Sequence, residues 1–201
     1  MTAFGSYAGT TVVPFEQLDH GLYLVTGDTG SGKTTLFDAI MFALYGKPSG
    51  SERSADMLHS DYAPRSVDTV AELRFAQDGR TYTVTRKIHF PRKRDGSGGY
   101  GDAQVDATLI EPDRAPVTGA TRVTERCGEL LGLNAEQFRK IIMLAQGEFR
   151  EFLKADSEKK REILGKLFDS APYRWYQELL CAARDALKKR REGAQIGRAH
   201  V

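Results

Sequence analysis

The chain has 201 residues, 40% of them apolar, with 29 Lys plus Arg against 27 Asp plus Glu, a formal net charge of +2. This allows one core of ordinary domain size plus an appendage, and the near balance of charge excludes a partner selected by bulk electrostatics, so that only local basic runs matter. Cys127 and Cys181 are far apart with no C-x-x-C, no apolar run approaches the roughly 18 residues of a membrane span, and the start lacks a signal-peptide pattern, which together point to a soluble protein of a reducing cytoplasm with no membrane partner.

In chain order, Thr10 to Phe15 (TTVVPF) is rich in β-formers, and Leu22 to Val25 reads as a short buried strand, so the first 25 residues are expected to give two or three sheet strands. Leu36, Phe37, Ile40, Met41 and Leu44 then recur at helical spacing, broken at Gly46-Lys47-Pro48. Val67 to Phe75 and Tyr82 to His89 alternate about Gln77-Asp78-Gly79, a hairpin signal. A further strand is expected over Gln104 to Ile110, with the basic and glycine-rich run from Pro91 to Gly99 as the exposed tip of a β-ribbon. After Thr121 the pattern is helical, with Val123, Cys127, Leu130 and Leu131 on one face and Asn134 with Gln137 as a capping box for the next helix. Ile163, Leu164, Leu167 and Phe168 form the stripe of a charged helix. Tyr176, Leu180, Ala183 and Leu187 follow heptad spacing over too short a run to separate a coiled coil from an ordinary amphipathic helix.

Between the second expected strand and the first helix lies Gly27-Asp28-Thr29-Gly30-Ser31-Gly32-Lys33-Thr34-Thr35, which fills every position of G-x-x-x-x-G-K-[ST]. Gly27, Gly30 and Gly32 let the backbone curl so that N–H groups converge on an anion. The helix start adds its dipole, Lys33 a full positive charge near the β and γ phosphates, and Thr34 a hydroxyl for magnesium. The residues therefore point to a Mg-nucleotide.

This P-loop occurs together with Phe4-Gly5-Ser6-Tyr7-Ala8-Gly9, Leu36-Phe37-Asp38-Ala39-Ile40, Ala43-Leu44-Tyr45-Gly46 and Met143-Leu144-Ala145-Gln146-Gly147-Glu148-Phe149. In these motifs the chain resembles the N-terminal part of the SbcC family, the ATPase subunits of SbcCD exonucleases, among the ABC-type ATPases of the SMC superfamily. The resemblance covers Thr2 to Arg191. It implies an α/β P-loop NTPase fold, the N-terminal lobe of an ABC-type ATPase head with an antiparallel β-ribbon, over residues 1–171, and the start of a coiled-coil arm over 172–192. Ile196 to Val201 resembles a translated sequencing adapter, and residues 193–201 are read as a non-native tail. The family's opening motif usually has several more residues before it, which leaves Met1 open as the true start.

The resemblance further implies ATP and Mg2+ as cofactors. Gly27 to Thr35 would hold the nucleotide, Lys33 and Gln146 would be the catalytic groups, and Thr34 and Gln146 would hold the metal, Gln146 as the Q-loop glutamine. Implied partners are the nuclease subunit SbcD, double-stranded DNA ends and a second SbcC copy forming a head dimer. The implied setting is the bacterial cytoplasm, associated with the nucleoid. Departures from the family are equally plain in the sequence: four apolar residues never run into Asp-Glu, no Leu-Ser-Gly-Gly opens a helix, and the zinc-hook C-x-x-C is absent. Ser97-Gly98-Gly99 imitates the signature but leads into a strand. The fragment is therefore expected to bind nucleotide weakly and not to turn it over. Arg86, Lys87, Arg92, Lys93 and Arg94 on the ribbon, and Lys188 to Arg191 on the last helix, are candidate contacts to DNA backbone. A P-loop GTPase or kinase is disfavoured by the lack of Asn-Lys-x-Asp and of an arginine-bearing lid. An SMC-like or RecF-like clamp without a nuclease partner is the alternative that stays open.

Overall fold

A computed structural model of the chain describes residues 1–18, 21–49, 55–93, 99–143, 156 and 171–198. It divides into two units, residues 1–143 and 144–201. The first is built on a six-stranded sheet of order β2-β1-β3-β4-β5-β6, every neighbouring pair antiparallel. The strands are β1 (Thr2–Phe4), β2 (Tyr7–Thr10), β3 (Thr69–Gln77), β4 (Arg80–His89), β5 (Gln104–Ile110) and β6 (Val117–Thr118). Helices α1 (Lys33–Tyr45), α2 (Ala120–Leu131) and α3 (Ala135–Ile141) complete this unit; α4 (Ala171–Arg198) belongs to the second.

The hairpin, the third long strand and both middle helices lie where the alternation and capping signals put them. Asp78 and Gly79 take φ of 51° and 72°, the left-handed pair of a two-residue hairpin turn. The capping box is complete: Asn134 Oδ1 accepts from Gln137 N–H and Gln137 Oε1 accepts from Asn134 N–H, both at 2.9 Å. The β4–β5 ribbon continues past its ladder through Arg92 and Tyr100, with Lys93 N–H donating to Gly99 O at 2.9 Å; residues 94–98, its expected tip, lie outside the described residues. So does the stripe from Ile163 to Phe168. In α4, Trp175, Tyr176, Leu179, Leu180 and Leu187 are all exposed.

Two expectations fail. Leu22 to Val25 is not a strand: it pairs with none of the six, and its four side chains are exposed, Leu22 and Leu24 by 104% and 86%. An apolar run without alternation needs a strand beside it and cover on both faces, and the described residues supply neither. Among the described residues the first 25 thus give two strands; β2 ends at Thr10, Pro14 offers no backbone donor, and Phe15–Gln17 is a single 3-10 turn.

The second correction concerns Arg86, expected on a DNA-facing cluster. Along β4 the core-facing positions are Tyr82, Val84, Arg86 and Ile88, and Arg86 is 1% exposed. Alanines stand opposite it on both sides, Ala71 on β3 and Ala107 on β5, leaving room for the guanidinium. It is enclosed because the last turn of α1 is buried and its carbonyls need donors. Gly46, left-handed at φ 70°, turns its N–H back to Phe42 O; Arg86 Nε donates to Ala43 O at 2.8 Å and an Nη to Leu44 O at 3.0 Å. The other Nη reaches Ala120 O, and Thr124 Oγ1 accepts from Arg86 while standing 3.4 Å from Tyr45 O. One buried cation thus joins sheet, α1 and α2, and its charge suits the negative end of the helix. Burial pulls its pKa down to about 10, so it stays protonated at neutral pH.

Candidate functional site

The glycines that the loop chemistry requires have the backbone it requires. Gly27, Gly30 and Gly32 take φ of 153°, 87° and 91°, and Gly32 is the residue before the first turn of α1. Among the described residues no side-chain cap bonds that turn, which leaves its leading N–H groups available to a ligand. Among the described residues, its chain neighbours aside, nothing lies within 4 Å of the place a Cβ on Gly30 would take. Ser31 N–H closes the turn onto Asp28 O at 3.1 Å, and Leu36 N–H starts the helix on Gly32 O.

Lys33 is already aimed. Its ammonium donates to Gly27 O and Asp28 O, each at 2.7 Å, with Ser31 Oγ at 3.5 Å. An ammonium has three donors, so the two carbonyls and the more distant Ser31 hydroxyl hold it against the loop. Thr34 is exposed beside it, while Thr35 is buried under the loop. Asp28, Thr29 and Ser31 form its exposed outer turn. These groups suit a polyphosphate: converging amides, one cation, no carboxylate in the mouth of the loop among these bonds, and a hydroxyl for a hard metal. Magnesium takes most of its oxygens from phosphate and water, so a single protein hydroxyl is a sufficient start. Gln146, the remaining member of the expected catalytic and metal set, lies outside the described residues.

Two supports went unread in the sequence. Asp38, buried one turn into α1, accepts from the backbone N–H of Ser49 at 2.9 Å and from its hydroxyl, tying the loop after α1 to the helix. The turn between β1 and β2, which carries part of the family resemblance, lies directly against the P-loop, with Gly5, Ser6 and Tyr7 touching Thr35, Gly30 and Gly32.

With this geometry established, comparison with known families is decisive: the AAA domain model matches residues 1–192, nearly the whole chain. The chain belongs to the AAA domain family. Relatives of this AAA domain include the SbcC subunit of the nuclease SbcCD from Vibrio cholerae serotype O1, 34% identical over 199 residues, which are 96% of this chain and 19% of that protein. The SbcC subunits of the same nuclease from Staphylococcus aureus strain MRSA252 and Staphylococcus haemolyticus are each 35% identical, over 187 and 175 residues. The AAA domain chain thus spans about a fifth of the length of these curated relatives. The resemblance drawn from the short motifs extends along almost all of it.

Proposed function

We propose that the chain is the ATP-binding portion of an SbcC-type ATPase subunit, the N-terminal lobe of an ABC-type head. The observation that carries this is Lys33 held by two loop carbonyls at the uncapped start of α1, in a chain whose relatives are SbcCD subunits. Bound magnesium would supply charge neutralisation between the phosphates. The chain's own residues do the positioning: Gly27 to Gly32 shape the nest, Lys33 holds the terminal phosphates, Thr34 offers its hydroxyl to the metal, and Gln146 would complete the metal shell and orient water. Phosphoryl transfer needs positioning, a metal and an activated water. This chain supplies the first and part of the second.

In the longer protein, two heads would close on two ATPs, and that closure would gate double-stranded DNA ends to the nuclease subunit SbcD. Leu22 to Val25 fits this reading, because strands from the rest of the protein would give it the neighbours it lacks here. Each of its side chains is worth about 1.5–3 kcal/mol on burial, a large incentive to be covered. The setting is a cytoplasmic DNA-processing complex. No helix among the described residues is long and apolar enough to cross a membrane.

DNA contact on this chain would fall to fewer cations than the sequence offers. Arg86 is enclosed. Lys87, 3.2 Å from Asp68, Arg92, over the Tyr100 ring at 5.8 Å, and Lys93 on the ribbon, with Lys188 and Lys189 on α4, are the exposed candidates among the described residues, and the side chains of Arg94, Arg190 and Arg191 lie outside them. If reversing Arg92 and Lys93 leaves the salt dependence of DNA binding unchanged, the ribbon is not a contact.

The nucleotide reading is tested by titrating the chain with Mg-ATP and following a fluorescent analogue or heat. Saturable binding that Lys33→Ala weakens by about 100-fold or more, as expected for a desolvated charge on phosphate, is the expected result. No binding by the unsubstituted chain, or binding indifferent to Lys33, overturns it. Steady multiple turnover by the chain alone would contradict the expectation that the rest of the head is needed.

A further inference from the structure

We propose that Ser6, in the turn between β1 and β2, and Tyr7, the first residue of β2, are positioning residues for the phosphate site, holding the P-loop from behind in its anion-binding conformation. This rests on the nucleotide reading above and deepens it.

The contact is reciprocal. Gly5, at φ 53°, brings the turn so close to Thr35 that a Cβ there would lie 2.6 Å from Thr35 Cγ2. Gly32, at φ 91°, brings the loop so close to Tyr7 that a Cβ there would lie 2.9 Å from the ring. Each side thus places a glycine where the other places a side chain. Polar groups close the gap: Tyr7 OH donates to Gly32 O at 3.4 Å, and Ser6 Oγ donates to Gly30 O at 3.4 Å with Thr35 Oγ1 at 3.5 Å.

The consequence follows from peptide geometry. In a trans peptide the carbonyl and the N–H point to opposite sides. Gly32 O accepts from Leu36 N–H at 3.2 Å and from Tyr7 at 3.4 Å, and the second bond helps the helix start to turn the Lys33 N–H away from the hairpin, toward the open side where phosphate would sit. Tethering Gly30 O to Ser6 fixes the flank of the same nest. The need is plain, because the segment leading into the loop, Leu22 to Val25, has no strand beside it among the described residues. In this unit the loop is located by α1 and by this turn.

The test uses Tyr7→Phe, which keeps the ring against Gly32 and removes only the hydroxyl, Ser6→Ala, and the pair together. The full chain is titrated with ATP and with inorganic tripolyphosphate, and unfolding midpoints are measured without ligand. A net hydrogen bond corresponds to about fivefold in affinity, so the double variant, which loses two, should lose about 25-fold for ATP and for tripolyphosphate alike, with the unliganded midpoint unchanged. Ser6→Thr, which keeps the hydroxyl, should retain affinity. Unchanged affinities in the double variant overturn the proposal while leaving the nucleotide reading intact. A loss matched by an equal drop in the unliganded midpoint also overturns it, since the residues would then act on the fold alone. An unsubstituted chain that binds neither ligand overturns both readings.

Discussion

Arg86 Nε donates to Ala43 O at 2.8 Å, joining the middle of a sheet strand to the last turn of the helix that begins with the P-loop lysine. The far end of the helix that starts at the P-loop is therefore anchored by a buried positive charge. Removing it should be costly.

Arg86→Met would leave the carbonyls of Ala43, Leu44 and Ala120 without this donor in a dry environment. Such a loss is worth about 3 kcal/mol or more. For a domain of this size that corresponds to a fall of roughly 10 °C in thermal midpoint, readable by calorimetry. Arg86→Lys should recover only part, because an ammonium lacks the planar fork that reaches α1 and α2 together. A midpoint unchanged in Arg86→Met would show that the helix end has other donors.

Acid sensitivity should trace in part to Glu111, buried just after β5. Arg126 pairs with it in a fork, Nε to Oε1 at 2.9 Å and Nη to Oε2 at 2.8 Å. These hydrogen bonds, against opposing desolvation, hold its carboxyl below the ordinary value of 4.5. A carboxylate lowered on folding adds stability that is complete above its unfolded pKa and fades as pH falls through the folded one. Glu111→Gln should therefore be less stable than the parent at pH 7, by about 1–3 kcal/mol. The gap should shrink once pH drops below 4.5. Chemical denaturation at pH 7 and pH 3 measures it; a gap that widens in acid contradicts the assignment.

The two cysteines should differ sharply in reactivity. Cys127 is fully buried on α2, and burial, opposed in part by the Arg86 charge, pushes its thiol up to about 11. Cys181 on α4 is partly exposed. At pH 8 iodoacetamide should label Cys181 alone, with Cys127 reacting only on unfolding. Mass spectrometry of the labelled chain decides it, and early modification of Cys127 would mean that α2 opens readily.

The uncovered run Leu22 to Val25 should make the isolated chain self-associate. Replacing Leu22 and Leu24 with lysine should lower the apparent mass in sedimentation while leaving the unfolding free energy within about 0.5 kcal/mol of the parent, as for any exposed position. A monomeric parent chain at tens of micromolar would show that this stretch is not sticky.

The elements and loop that the sequence determined by itself are those whose signal is local. Glycine freedom at 27, 30 and 32, the Asp78-Gly79 turn, the Asn134–Gln137 box and the two-residue alternation of β3 to β5 each depend on neighbours a few positions away, so spacing suffices. Arg86 shows the limit of that reading. Its charge beside Lys87 put it in a surface cluster, although it shares the phase of Tyr82, Val84 and Ile88. Only the tertiary structure, which brings the carbonyl end of α1 over that strand, explains how a guanidinium can be dry. Likewise no spacing rule joins Tyr7 to Gly32, 25 residues away. That contact exists because a sheet edge and a helix start meet in space, and the hairpin's effect on the phosphate loop was decided there. The same holds for Leu22 to Val25: composition made it a strand, but a strand needs a partner, and hydrogen bonds to a neighbour are not written in its own residues.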